Sequence, residues 1–357
     1  MKVAIRADAG LHMGAGHLMR CLTLAEALRA EGATVRFFCR EHKGQRHDLL
    51  RGRGFDVVSV GAGVDELPQG GDELLPPHAN WLGGSWTEDV AALESGNDLL
   101  IVDHYALDAK FERAMREKVR RVMVIDDLCD RDHDADLLLD QGLGRTAAAY
   151  RGRVAVDCSV LVGTHYALLR PEFLAARQTA LERRMSVTGI EHLLVTMGGM
   201  DMGNLTGRVL AGLDGASLRK LTVVMGSTAP HLEKVRETVA GFACATEFLV
   251  DCEEMAEVMT EADAAIGAVG ATSWERCCLG LPTLGIVAAD NQREAAENLA
   301  AAGAIVGPVD AREMTAALAG FLAMPQGRYQ ALSTAAANVC DGAGVERVMT
   351  EIRELFR

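Results

Sequence analysis

Aromatic residues make up only 4% of this 357-residue chain, with three tryptophans and four tyrosines. Alanine and leucine must therefore carry most of the burial. No apolar run approaches the ~20 residues that a membrane-spanning helix needs, so no membrane anchor is expected. Basic residues are outnumbered, 36 against 50, giving a formal net charge of −14. That balance argues against broad nucleic-acid or anionic-membrane binding. It leaves room for an anionic small molecule, because a helix N-terminus holds phosphate even in an acidic protein. The nine cysteines include no C-x-x-C pair and no zinc spacing, and Cys277-Cys278 fall in an expected helix. They read as reduced core residues, with no metal and no cofactor implied. A strand starting at Met1-Lys2-Val3 leaves no room for a secretory signal. A cytoplasmic monomer is the expectation.

At this length two domains are expected. Short apolar runs alternate with amphipathic stretches, the pattern of parallel α/β sheets. Strands are expected at Val3–Ile5, Val35–Phe38, Asp56–Val58, Leu99–Val102, Val122–Ile125, Leu137–Leu139 and Val160–Val162. A second series is expected near 192–196, 221–225, 246–249, 264–267 and 283–287. The predicted domains are 1–170 and 189–357, with 171–188 as linker and helices at about 311–322 and 344–356 closing the second half. Residues 61–84, rich in glycine and proline, read as a surface loop. Two Rossmann-like halves would face a central cleft. Ligands in open α/β sheets bind beyond the carboxyl ends of the strands, so the chemistry belongs in the strand-to-helix loops.

The first of these loops runs Arg6-Ala7-Asp8-Ala9-Gly10-Leu11-His12-Met13-Gly14-Ala15-Gly16-His17, with Arg20 one turn further on. Gly14 and Gly16 permit a tight turn and close approach to a ligand. His17 would start a helix from about 17 to 30, where a neutral imidazole could accept a proton. Arg20 could meet an anion. The bland alternative has His17 merely opening the helix and Arg20 solvated. A dinucleotide fingerprint is disfavoured because Met19 stands in place of its third glycine. Asp103-His104-Tyr105 and Asp126-Asp127 follow the two strongest strands, and either of the last two aspartates could cap a turn. In the second half, Gly198-Gly199 would expose N–H groups and a helix end to diphosphate. Gly270-Ala271-Thr272-Ser273 would admit phosphate to another helix start. Glu275 could take both hydroxyls of a ribose, or could be the third residue of a capping box begun by Thr272. Asn291 and Gln292 lie at a further strand-to-helix junction.

Taken in order, IRADAGLHMGAGHLMRCLTLAEAL, VDHYALD, VIDDLCDRDHDADLLLDQGLG, YALLRPEF, TMGGMDMGN, GATSWERCCLGLP and DNQ resemble one family over nearly the whole chain. It is the nucleotide-sugar hydrolases of pseudaminic acid biosynthesis, which act on UDP-2,4-diacetamido-2,4,6-trideoxy-β-L-altropyranose. The second half is also similar to the nucleotide-binding half of the glycosyltransferase that makes the lipid-linked peptidoglycan disaccharide. This likeness implies the glycosyltransferase B architecture, UDP held mainly by the second domain, and helix ends rather than a metal neutralising the diphosphate. Residue by residue it implies His17 as the base that activates water, within a loop shaped by Gly14 and Gly16. Gly198 and Gly199 match the diphosphate loop, Thr272 and Ser273 the phosphate-facing helix start, and Glu275 the ribose ligand. Asn291 and Gln292 match the segment near sugar or phosphate, and His104 and Tyr105 a motif near the sugar. Ala7, Ala9 and Gly142 depart from the pattern at positions that bear on the sugar.

The implied reaction is displacement at the anomeric carbon by water, with inversion. A glycosyltransferase sharing the same UDP grip is the enzymatic alternative, with an epimerase behind it. A silent nucleotide-sugar sensor is the alternative from another class. The absence of a basic or apolar run between 40 and 120 favours water over a membrane-bound acceptor.

Overall fold

The computed structural model describes residues 1–11, 13–64, 78–213, 215–309 and 314–357. The chain divides into two compact units, Met1–Leu168 with Gly344–Arg357, and Leu169–Ala343. The first unit opens Lys2–Ala7 (β1), Gly16–Ala30 (α1), Thr34–Glu41 (β2), His47–Gly52 (α2) and Asp56–Ala62 (β3). It continues Trp86–Ala92 (α3), Asn97–Asp103 (β4), Ala109–Met115 (α4), Val119–Ile125 (β5), Leu137–Asp140 (β6) and Ser159–Val162 (β7). Its seven strands are all parallel, in the order β3-β2-β1-β4-β5-β6-β7. The central strands are buried on both faces, which is why they read as continuous apolar runs such as Leu99–Val102.

The second unit begins with Pro171–Ser186 (α5), then His192–Thr196 (β8), Leu205–Gly212 (α6), Lys220–Met225 (β9) and Leu232–Ala240 (α7). Ala245–Val250 (β10), Met255–Glu261 (α8), Ala264–Ala268 (β11), Thr272–Cys278 (α9) and Thr283–Ile286 (β12) follow. Arg293–Ala301 (α10), Val306–Val309 (β13), Met314–Leu322 (α11) and Gln326–Val339 (α12) complete it. Six parallel strands lie in the order β10-β9-β8-β11-β12-β13. The last helix, Gly344–Glu354 (α13), returns to the first unit.

The expected boundaries differ from this division in two places. Residues 171–188 were read as linker, yet α5 is built into the second unit. Phe173, Ala180 and Arg184 are buried, Arg184 donates to the last carbonyls of α8, and Arg177 donates to Ala337 and Cys340. Residues 344–357 were assigned to the second half. Val348, Met349 and Ile352 instead form a stripe buried with Leu18, Leu24 and Leu28 of α1, and Arg353 pairs with Glu31 at 2.5 Å. The sequence reading omitted β13, and the expected helix at 311–322 is described from Met314. Most of the 61–84 loop (65–77) lies outside the described residues, and so does His12.

Candidate active site

Strand order reverses between β1 and β4 in the first unit and between β8 and β11 in the second. At such a reversal the loops leaving neighbouring strands diverge, and a crevice forms beyond the strand ends. Most predicted site residues of each unit lie in the loops at that position, while Asn291 and Gln292 follow β12.

In the first unit Ala7 and Asp103, the last residues of β1 and β4, sit side by side. The β1–α1 loop closes on itself by reciprocal bonds between Gly10 and Gly14, whose φ of 71° suits glycine. Helix α1 then begins at Gly16 with no side-chain cap and no acid in its first turn. His17, Arg20 and Cys21 are spaced i, i+3 and i+4, so they share one face, and all three meet Asp103. His17 Nδ1 lies 2.6 Å from Asp103 Oδ1. Arg20 donates through Nε to Oδ2 and through Nη2 to Oδ1, each at 2.6 Å, and Cys21 Sγ approaches Oδ2 at 3.4 Å. Arg20 also donates from Nη1 to Asp127 at 2.8 Å, and the Tyr105 hydroxyl donates to the other Asp127 oxygen at 2.5 Å.

Burial alone would raise the Asp103 carboxyl, but Arg20 and His17 overcome it and hold the group well below the usual carboxylate range. Asp103 is therefore an acceptor only. Its 2.6 Å contact requires the proton on His17 Nδ1, leaving Nε2 as the ring's basic atom. Arg20 is buried, and the anions it meets are Asp103 and Asp127 of its own chain.

His104 and Tyr105 come to the same place, the first with Nδ1 and the second with its hydroxyl committed to hydrogen bonds. The Ala106 N–H donates to His104 Nδ1, while Nε2 faces buried Asp8 at 3.2 Å. Burial lowers the His104 pKa against the opposing pull of Asp8. Asp8, which the sequence reading gave no role, receives Arg6 at 2.6 Å and the Arg40 backbone at 2.7 Å. Tyr105 turns its ring edge to His17, with centroids 4.5 Å apart. Of the aspartate pair, Asp126 caps the turn by accepting from Leu128 and Cys129, and Asp127 faces the site.

In the second unit Gly267 of β11 pairs with Thr196 of β8, so their loops leave together. Gly198 has φ 84°, and a Cβ placed on it or on Gly199 would meet nothing within 4 Å. The loop surface is open there. The expected offer of the α6 N-terminus to diphosphate is altered, because Asp201 accepts from Leu205 and Thr206 and Asn204 from Gly207. Two side chains of the protein already satisfy that helix end. Helix α9, by contrast, starts after Ala271 with no side-chain cap, so Thr272 and Glu275 do not make a capping box. Ser273 turns inward, its hydroxyl accepting from buried Arg276 at 3.1 Å, and Thr272 accepts from the same guanidinium at 3.3 Å. Glu275 is half-buried, and loss of solvent raises its carboxyl to about 7. A Cβ on Gly270 would stand 3.6 Å from Gln292 Nε2, which places Gln292 at the mouth of this loop, while Asn291 is exposed beside it. Among the described residues no three His, Cys, Asp or Glu side chains converge as a metal cage.

No protein-family model matches the chain. It is similar to the UDP-2,4-diacetamido-2,4,6-trideoxy-β-L-altropyranose hydrolase of Campylobacter jejuni, 26% identical over 74% of this chain and 83% of that protein. The resemblance read from the sequence is supported. A second relative is the spore coat polysaccharide biosynthesis protein SpsG of Bacillus subtilis, 26% identical over 85% of this chain and 82% of that one. Among solved structures, MurG of Acinetobacter baumannii aligns with 99% of both chains at a TM-score of 0.65 and 15% identity. At that identity the likeness speaks for fold, and with the two parallel sheets it gives two Rossmann-like units of the glycosyltransferase B class. No described helix is long and apolar enough to cross a membrane.

Proposed function

We propose that the chain is a nucleotide-sugar enzyme that hydrolyses a UDP-sugar to UDP and free sugar, with water as the acceptor. The substrate class we infer is the UDP-diacetamido-trideoxy sugar on which the Campylobacter relative is named to act. The observation that carries the reading is the His17–Asp103 contact, which leaves Nε2 free to take a proton. Nε2 removes a proton from water as the water oxygen bonds to the anomeric carbon. The bond from that carbon to the phosphate oxygen breaks, UDP leaves with the electron pair, and the anomeric centre inverts. Asp103 then balances the imidazolium that forms, and Arg20, fixed between Asp103 and Asp127, keeps the carboxylate oriented. General-base help of this kind typically contributes ~10²–10⁴-fold.

Gly198, Gly199 and the Gly270–Thr272 loop would hold the diphosphate, and Glu275 the ribose hydroxyls. N–H dipoles already fixed in the fold cost no reorganisation as the leaving group gains charge. The test is phosphorus NMR of UDP release from a panel of UDP-sugars in EDTA, with wild type beside His17→Ala. Release from the diacetamido-trideoxy sugar that EDTA spares and His17→Ala abolishes is the expected result. UDP binding without release from any sugar, until an acceptor alcohol is added, would overturn the hydrolase in favour of a transferase.

A further inference from the structure

Few aromatic residues exist in this chain, yet several assemble beside His17. Tyr105 is surrounded by His17 at 4.5 Å, His78 at 5.3 Å and Trp81 at 5.6 Å between ring centroids, and His78 and Trp81 touch at 4.8 Å. The Arg131 guanidinium lies 5.8 Å from the Tyr105 ring centre. Trp81 is carried on a short 3₁₀ turn, Ala79–Leu82, and His78 is the residue just before it. That turn is anchored by buried Leu82, which packs in the core with Leu100 and Val102 of β4. It ends at Gly83, whose φ is 66° and whose carbonyl accepts from Val64 at 3.0 Å. The arrangement is built into the unit, and both rings remain half-exposed.

Its shape and polarity restrict what it suits. His78 stands at 60° to Tyr105 and 79° to Trp81, while Trp81 and Tyr105 are tilted by 34°, so His78 makes a step in the surface, a form that receives a methyl group better than a flat sugar face. The Tyr105 hydroxyl is already spent on Asp127, so it offers a sugar hydroxyl no free donor. His78 Nδ1 is shielded from solvent, so that nitrogen offers a ligand no polar atom either.

We propose that Trp81, His78 and the Tyr105 ring form a specificity wall for sugars bearing methyl substituents, as deoxy or acetamido groups do. This rests on the nucleotide-sugar reading above. It concerns which sugar is chosen, and is independent of whether water is the acceptor.

The test uses the full chain labelled with 5-fluorotryptophan, whose three fluorine signals are assigned through Trp81→Phe, Trp86→Phe and Trp274→Phe. The probes are UDP, UDP-glucose and the UDP-diacetamido-trideoxy sugar. UDP is expected to move the Trp274 signal only, and the acetamido sugar to move Trp81 as well. In turnover, Trp81→Ala should raise KM for the acetamido sugar roughly tenfold, leave the UDP dissociation constant unchanged, and narrow the preference over UDP-glucose. Trp81→Phe should recover most of that preference. If the acetamido sugar binds, by the Trp274 signal, and Trp81 neither shifts nor affects discrimination, the wall is overturned. If Trp81 shifts but no UDP is released, the wall stands and the hydrolase reading falls. If no UDP-sugar moves either signal, both fall.

Discussion

The two units share one plan and are provisioned in opposite ways. Each has a parallel sheet whose order reverses beside its first strand, at β1/β4 in one and β8/β11 in the other, and most candidate residues of each lie there. At the β1/β4 reversal the chain has placed His17, Arg20, Asp103, Tyr105 and Asp127, side chains able to carry charge or move protons. At the β8/β11 reversal it has placed Gly198, Gly199, Gly270 and Thr272, which offer mostly backbone, with Glu275 as the main titratable group. Topology chooses the location and says nothing about the chemistry. Side chains then make one reversal fit for catalysis and the other for holding an anionic ligand, which is the division our proposal assigns.

Asp103→Asn attacks the first half of that division and should have the largest effect. The near-isosteric amide can present an N–H where Nδ1 needs an acceptor, so His17 loses its orientation and tautomer. Turnover should fall by about 10²–10⁴-fold, while UDP affinity, measured by calorimetry, stays at the wild-type value. An equal loss in both would mean that the first unit also holds the nucleotide, and the contrast would collapse. The charge-rich end should also make stability depend on pH. Glu112 and Asp126 outweigh burial at His133 and raise it from 6.5 to about 9. A raised histidine stabilises fully below its unfolded pKa and loses that contribution as pH climbs through the folded one. Urea unfolding should therefore show stability falling between pH 6.5 and 9, by up to about 3 kcal/mol. His133→Asn should flatten this slope, and an unchanged slope would place the titration elsewhere.

Much of the frame was legible because buried parallel strands are apolar throughout, and the central strands of both sheets announce themselves that way. Strand β13 did not, since Val306-Gly307-Pro308-Val309 looks like a turn. At a sheet edge the missing N–H of proline is tolerated. Helix α13 has an apolar stripe that any core could bury, and its return to α1 is a matter of space rather than order. In the site, His17 stood out because it opens the first helix after a glycine loop, whereas Asp103 was visible only as the end of a strand, its partner being 86 residues away in the chain. Side-chain direction was less readable. Ser273 and His104 lie in the right loops, but a hydrogen bond within α9 turns the first onto Arg276, and the second faces Asp8, 96 residues away in the chain. Trp81 and His78 gave no signal, because their partner Tyr105 is 24 and 27 residues away in the chain.

The second half of the division is tested by its glycines. Gly198 sits at φ 84° in open space, so Gly198→Ala meets backbone strain without a clash, costing about 1–2 kcal/mol. If that loop holds the diphosphate, UDP affinity should fall several-fold while turnover at saturating substrate hardly changes. Gly199→Ala, equally open and outside the positive-φ set, should disturb the backbone less. Equal effects of the two would show that added bulk rather than conformation matters there.

The smallest effect expected concerns Glu275, on the ligand-holding side, whose carboxyl is raised into the neutral range. Burial raises it to about 7, with Arg170 and Arg276 pulling the other way. A carboxylate can accept from both hydroxyls of a ribose, whereas the protonated acid has given one oxygen over to donating. Ligand affinity should therefore rise with pH through about 7 and level off above it, by at most about tenfold per pH unit below the midpoint. Uridine is the better probe than UDP, because the terminal phosphate itself titrates near pH 6. Glu275→Gln, which cannot ionise, should bind uridine with nearly the same affinity from pH 6 to 8. A slope that survives this substitution would remove Glu275 from the ribose. It would also leave the β8/β11 reversal as a backbone cradle alone, sharpening its contrast with the charged reversal of the first unit.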